Sequence, residues 1–256
     1  APSEKDAARI LVRNAMKYTK FKRCQTVVRI NSLDTRFWQK DLEEIIPLKP
    51  DMIMPPKVSS AESVRLIDEY ISGLEERLGL EKNAVKLIPL IETALGVENS
   101  YQIASASKRV EAMLLGGEDL TADLHCTRTK EGAELNYARS RLVCAARAAG
   151  IEAYDTPFTD VNDDEGILND AKYAKSLGFS GKASISPRHV AVINDIFSPS
   201  EREIDYAREV MEAIRAAKEQ GKGAVSLHGK MIDAPIAARA LQTVAAANEL
   251  AAGGER

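Results

Sequence analysis

The strongest constraint on this chain is a rhythm. Short apolar or β-branched runs, each closed by a polar or Gly/Pro cluster, alternate with longer segments of helical periodicity. Parallel strands cannot be joined by a tight turn and need a long crossover, so one strand per helix-length segment is the pattern of a parallel sheet covered by helices. Residues 26–30, 52–54, 87–91 and 112–115 read as strands, with weaker runs at 152–154 and 181–185. Helical spacing fills 61–78, 136–149, 165–177 and 200–219, the last opened by Ser198-Pro199-Ser200-Glu201. These make six β-α units, two short of a closed (β/α)8 barrel. Periodicity alone does not decide between a barrel and an open doubly wound sheet. Neither G-x-G-x-x-G nor G-x-x-x-x-G-K-S/T occurs, however, so the expectation is an α/β, TIM (β/α)8-type barrel with two units fewer than a closed one in this chain. Six such strands leave two unpaired edges. Past Gly221 come a strand-like run at 223–227, a polar stretch at 228–233 and an Ala-rich helix over 235–252, whose small residues permit close packing against a second subunit. The expected organisation is a barrel domain over 1–220 and a C-terminal helical extension over 221–256, acting as a lid between subunits.

Composition removes several classes. The 256 residues are 45% hydrophobic and 29% charged, so disordered, collagen-like and disulfide-scaffold chains are disfavoured. A net charge of −3 provides no broad phosphate-neutralising surface, and no nucleic-acid partner is expected. Cys24, Cys126 and Cys144 form no C-x-x-C pair, which points to a reducing compartment rather than to disulfides or zinc. With no long uncharged apolar run and no signal-peptide core in A-P-S-E-K-D-A-A-R-I, the chain reads as soluble, cytoplasmic and without a membrane partner.

In a barrel the reacting groups stand at the C-terminal strand ends, so the polar residues closing each apolar run are the informative ones. These are Arg29, Lys57, Glu92 and the pair Glu118-Asp119. Two carboxylates on neighbouring strand ends form a hard oxygen site that suits Mg²⁺, which keeps several waters or substrate oxygens in its octahedron. Gly116-Gly117 lets the backbone approach a ligand, and the amides of Gly117, Glu118 and Asp119 are placed to bind a substrate carboxylate. Plainer readings stand beside these: Arg29 as a structural ion-pair partner, Lys57 as a surface lysine after Pro55-Pro56, Gly-Gly as a turn. His125, His189 and His228, far apart and near no nucleophile motif, read as ordinary polar or capping residues, and the acidic run 160–165 as a loop and helix start.

Ordered motifs then span nearly the whole chain: A-P-S-E-K-D-A-A-R at the start, V-R-I-N at Arg29, M-P-P-K at Lys57, L-I-P-L-I-E-T-A-L-G at Glu92 and L-L-G-G-E-D-L at Asp119. D-T-P-F-T-D at Asp155, G-F-S-G-K-A-S-I-S-P near Lys182 and M-I-D-A-P at Asp233 follow. With these the chain resembles the citrate lyase β-subunit-like proteins of the HpcH/HpaI aldolase superfamily, a group that includes malyl-CoA, β-methylmalyl-CoA and citramalyl-CoA lyases.

The resemblance implies a TIM barrel with Mg²⁺ on Glu92 and Asp119, cleaving or forming a carbon-carbon bond next to a thioester. It implies that Arg29 stabilises the thioester enolate and that Asp233 reaches the site from an adjacent subunit of a trimer or hexamer to exchange the proton. It leaves open an acyl-CoA lyase, a citryl carrier-protein lyase subunit, and a family member without turnover. Asp before Ala-Pro also reads as an ordinary helix cap. The family pattern carries a histidine where this chain has Ser186, and it opens with two strand units, ending in F-V-P-G and L-E-D, upstream of the A-P-x-x-K segment. The expected reasons for their absence are truncation or cleavage, unrepresented upstream residues, or a divergent incomplete barrel.

Overall fold

The structure, a computed structural model, describes residues 1–22, 24–219 and 225–254. They divide into two compact units, one up to Ile193 and the other from Asn194 on. This division falls upstream of the composition change at Gly221 on which the 1–220 and 221–256 domains rest.

The first unit runs α1 (Lys5–Tyr18), β1 (Val27–Arg29), α2 (Trp38–Ile45), β2 (Met52–Met54), α3 (Ala61–Leu78), β3 (Lys86–Leu87), β4 (Leu90–Ile91), α4 (Ala94–Glu98) and α5 (Ser100–Ala104). It continues with β5 (Ala112–Leu115), α6 (Gly117–Asp123), α7 (Asn136–Ala149), β6 (Glu152–Asp155), α8 (Asp164–Leu177) and β7 (Gly181–Lys182), and α9 (Pro187–Phe197) crosses the boundary. All pairings among β1 to β7 are parallel, with Val28 opposite Ile53, Ile91 opposite Leu115 and Asp155 opposite Lys182. The run expected over 87–91 is split into β3 and β4 at Pro89, which has no N–H for a ladder. Ile88 N–H still donates to Ile53 O at 3.0 Å and Leu114 N–H to Pro89 O at 3.1 Å, so the two pieces act as one strand between β2 and β5. Among the described residues β1 pairs with β2 and β7 with β6, each at an edge.

Strand alternation sorts the apolar residues. Ile53, Leu87, Met113 and Ala153 are fully buried on the helix-covered face. On the opposite face Met52, Ile88 and Ala112 pack with half-buried Met54, Leu114 and Tyr154. Helices α1, α2, α4, α5, α6 and α9 escaped the sequence reading. Helix α1 buries none of its residues and leaves Ile10 and Leu11 exposed, so its periodicity serves no core; α2 and α9 are short.

The second unit contains α10 (Glu201–Glu219), β8 (Val225–Leu227), β9 (Lys230–Ile232) and α11 (Ala234–Gly254). Strands β8 and β9 form an antiparallel hairpin whose turn residues, His228 and Gly229, both have positive φ (50° and 74°), the backbone a two-residue hairpin needs. Its core is Ala207, Val210, Ile232 and Ala240. Of the strand-like run expected at 223–227, residues 223 and 224 lie outside the described residues, and β9 replaces part of the polar stretch. No helix of the described residues is long and apolar enough to cross a membrane.

Candidate active site

The C-terminal ends of β1, β2, β4 and β5 bring Arg29, Lys57, Glu92 and the Gly116–Asp119 turn to one mouth. Glu92 follows β4 and is only 4% exposed. Its Oε1 accepts the Lys57 N–H at 2.9 Å. Lys57 reaches that position with φ of 54°, a left-handed conformation uncommon for a residue with a side chain and typical of functional turns. Its Nζ lies 3.3 Å from Asp119 Oδ1, both side chains half-exposed. Lys57 thus holds one carboxylate with its backbone and the other with its ammonium, which the plain surface-lysine reading did not foresee.

Burial pushes the Glu92 carboxyl above the ordinary carboxylate range and the Asp119 charge pushes it further. The Lys57 amide bond and the Arg29 and Lys57 charges oppose this without cancelling it. A buried carboxylate raised by a like-charged neighbour is a site whose electrostatic strain a cation relieves. Among the described residues no group of three or more His, Cys, Asp or Glu is arranged to hold a metal. The two-carboxylate pair still fits Mg²⁺, because that ion retains waters or substrate oxygens at most of its positions.

The glycines are spatially required. A Cβ on Gly116 would lie 2.7 Å from both Glu92 Cβ and Oε2, and one on Gly117 would lie 2.8 Å from Thr156 Oγ1. Gly116→Ala is therefore expected to force Glu92 aside and to cost about 1–3 kcal/mol of stability, as overpacking does, read as a lower urea midpoint. An unchanged midpoint would show that the turn has room. The Gly117 amide, offered to a substrate carboxylate by the sequence, instead donates to Thr156 Oγ1 at 2.9 Å because α6 starts directly against that buried hydroxyl. The Glu118 carboxylate lies 3.5 Å from Arg128 Nε. Arg29, exposed at the end of edge strand β1, also lines a cleft of about 190 Å³ with Lys5, Arg9 and Asn31.

The remaining expectations divide. Asp233 belongs to the second unit and is exposed; its Oδ1 accepts the Ile236 N–H at 3.0 Å, so it does cap α11. In the acidic run, Asp163 caps α8 through Gly166 N–H at 2.8 Å, and Lys130 pairs with Asp160 and Asp163. His228 contacts Glu209 at 2.7 Å. His189 departs from the polar reading: it is 1% exposed, tilted against Phe158, with no hydrogen-bond partner for either ring nitrogen among the described residues. Ser186 Oγ accepts the Arg188 N–H at 3.3 Å ahead of Pro187, a helix-start role.

A buried ion cluster beneath the mouth was missed. Arg139 donates to Asp155 (3.0 and 2.9 Å) and Asp170 (2.7 Å), while Lys182 Nζ meets Asp155 at 2.7 Å and Asp170 at 2.5 Å. Burial raises the Asp170 carboxyl, but the Lys182 and Arg139 charges and hydrogen bonds outweigh it and hold it below the usual range. Asp155 and Lys182 close apolar strands, the signal that singled out Glu92; Arg139 and Asp170 lie inside helices and carry no such signal.

Residues 1–187 match the family described as HpcH/HpaI aldolase/citrate lyase. The chain is 42% identical to citrate lyase subunit beta of Haemophilus influenzae over 94% of its own length and 82% of that protein. It is 31% identical to mitochondrial citramalyl-CoA lyase of Homo sapiens over 98% of its length and 76% of that protein. The CitE protein of Mycobacterium tuberculosis, solved in complex with magnesium, acetoacetate and coenzyme A, superposes with a TM-score of 0.74 at 30% identity, over 97% of this chain and 86% of that one.

Proposed function

The chain belongs to the HpcH/HpaI aldolase/citrate lyase family, with its TIM-barrel-type fold, and on that premise we propose that it is a Mg²⁺-dependent carbon-carbon lyase. Its substrate is a hydroxyacyl thioester of the citramalyl-CoA or malyl-CoA type, cleaved to an acetyl-CoA-like thioester and a 2-oxo acid. The observation that carries this reading is the meeting of the Glu92 and Asp119 carboxylates beside Arg29 and Lys57 at one strand-end mouth.

Glu92 and Asp119 would hold the ion, which when bound would supply Lewis-acid stabilisation of charge on the substrate oxygens. The Lys57 amide keeps Glu92 in place, and with the Gly117 amide committed to Thr156 the turn at Gly117 and Glu118 would contribute to substrate binding by its position beside Asp119. Breaking the carbon-carbon bond leaves its electron pair on the thioester fragment, so negative charge grows on the enolate oxygen. The Arg29 guanidinium is the group to stabilise that charge. In the cleft that Arg29 shares with Lys5, Arg9 is neutralised by Asp41 and Asp6, so Arg29 and Lys5 are the cations that would face the carrier part of the thioester. Asp233 serves as general acid-base for the enolate carbon, delivered by residues 221–256 of a neighbouring subunit in a cytoplasmic homo-oligomer.

A second reading, a citrate lyase β subunit acting on a citryl carrier-protein thioester, is favoured by the higher identity to citrate lyase subunit beta, 42% against 31% for citramalyl-CoA lyase. Coupled detection of the 2-oxo acid product separates the readings, because a citryl carrier-protein substrate would leave its acetyl group on the carrier rather than on CoA. Release from malyl-CoA or citramalyl-CoA, abolished by EDTA, is expected; release from a citryl thioester alone moves the assignment to the second reading, and none from any of them refutes a lyase. Mixing inactive Asp233→Ala and Glu92→Gln chains is expected to restore part of the activity, and no recovery in demonstrably mixed oligomers refutes the shared site.

A further inference from the structure

We infer that Thr156 is a positioning residue for Asp119, acting through the Gly117 amide and anchored by the buried ion cluster; the inference rests on the reading of Glu92 and Asp119 as the metal carboxylates. Thr156 follows β6 and is 1% exposed. Its hydroxyl oxygen accepts the Gly117 N–H at 2.9 Å, and its carbonyl accepts Lys182 Nζ at 2.6 Å. Lys182 is in turn fixed by Asp155 and Asp170, and Arg139 closes the cluster on both carboxylates. The side chains of Arg139, Asp155 and Lys182 have no solvent access. Charges that cannot relax into water hold residues 155 and 156 rigidly, and Thr156 presents one oxygen upward to the first residue of α6.

That oxygen matters because α6 has only seven residues, too few to keep a direction unaided. Its far end is tied by an exposed bond, Ala94 N–H to Asp123 Oδ2 at 2.7 Å. Its near end has no slack, since any Cβ on Gly117 would meet Thr156 Oγ1 at 2.8 Å. Asp119 stands in the first turn, two residues after Gly117, and its half-exposed side chain pairs with the equally exposed Lys57. Alongside the buried Leu120 and Thr121 of the same helix, the buried contact at Thr156, rather than the surface ion pair, therefore sets where the Asp119 carboxylate stands relative to Glu92.

The test is Mg²⁺ titration calorimetry on the folded full chain. Thr156→Val keeps the side-chain shape and removes the acceptor, and is expected to weaken Mg²⁺ binding by roughly ten- to a hundredfold, the usual effect of removing a group that orients a metal ligand. Thr156→Ser retains the oxygen and is expected to bind as the parent does. A purely structural role would lower the unfolding temperature without changing the affinity of the protein that remains folded. Unchanged affinity in Thr156→Val, or an equal loss in Thr156→Ser, overturns the inference. A Glu92→Gln, Asp119→Asn chain measured alongside separates the two layers. If it still binds Mg²⁺, the metal reading fails and the positioning role falls with it; if it loses Mg²⁺ while Thr156→Val does not, only the positioning role fails. Should Thr156→Val not fold, Thr156→Ala against Thr156→Ser makes the same comparison.

Discussion

A chain carrying both Glu92→Gln and Asp119→Asn is expected to lose measurable Mg²⁺ binding and about a thousandfold in kcat. Both changes preserve side-chain size and remove charge, so the barrel mouth keeps its shape while the hard anionic donors are gone. A bound metal contributes several kcal/mol to stabilising charge in the transition state, and about 4 kcal/mol corresponds to roughly a thousandfold in rate. Folding should not suffer, because the Glu92 carboxylate is raised by burial and by the Asp119 charge and is therefore an unfavourable resident when ionised. The Lys57 N–H bond to Oε1 can pass to the glutamine carbonyl oxygen. Isothermal titration with Mg²⁺ and a circular-dichroism melt check both halves. Parent-like Mg²⁺ affinity in this chain would remove Glu92 and Asp119 from the metal site.

Lys182→Met is expected to destabilise the protein by about 3–5 kcal/mol, because among the described residues it leaves the Arg139 guanidinium as the one cation facing the buried Asp155 and Asp170 carboxylates. The buried pair and its charged partners cannot recover hydration, unlike the exposed Lys57–Asp119 pair, whose loss should hardly register. The effect also has a pH signature. The folded-state pKa of Asp170 lies below its ordinary value, so its contribution is fully present above the unfolded pKa and is lost as pH falls through the folded one. The deficit of Lys182→Met relative to the parent should accordingly be largest near neutral pH and shrink in acid. Urea unfolding across that range measures it. A deficit within about 1 kcal/mol at neutral pH, the size of an exposed pair, would show that the cluster is not holding the β6–β7 strand ends.

Much of the site was legible because barrel chemistry sits where apolar runs end. That rule points to Glu92 and Asp119, with Arg29 and Lys57, as candidates, and the structure brings Glu92, Lys57 and Asp119 together. The same rule applied to 152–154 and 181–185 points at Asp155 and Lys182, yet their purpose needs Arg139 and Asp170, which helices α7 and α8 bring in from the side. Thr156 stands in the D-T-P-F-T-D motif, yet the pattern does not reveal its role, which is one hydroxyl acceptor meeting the Gly117 amide across a gap of 39 residues. The histidines show the converse. His189, spaced like an ordinary polar residue, is enclosed beside Phe158, an outcome of how α9 packs rather than of its neighbours in sequence.

The sequence by itself determined the order of the parallel β-α units, the limits of helices such as Ala61–Leu78 and Asn136–Ala149, and which strand ends carry charge, because these follow from local periodicity, caps and turn residues. The tertiary structure alone decided that Pro89 splits one strand without breaking the sheet, that the Gly117 amide is committed to Thr156, and that Lys57 spans both carboxylates with its backbone and its ammonium. Those facts depend on where chain segments far apart in sequence come within hydrogen-bonding distance. Periodicity sets the face each residue turns toward its partners, and only packing sets which partner it meets there.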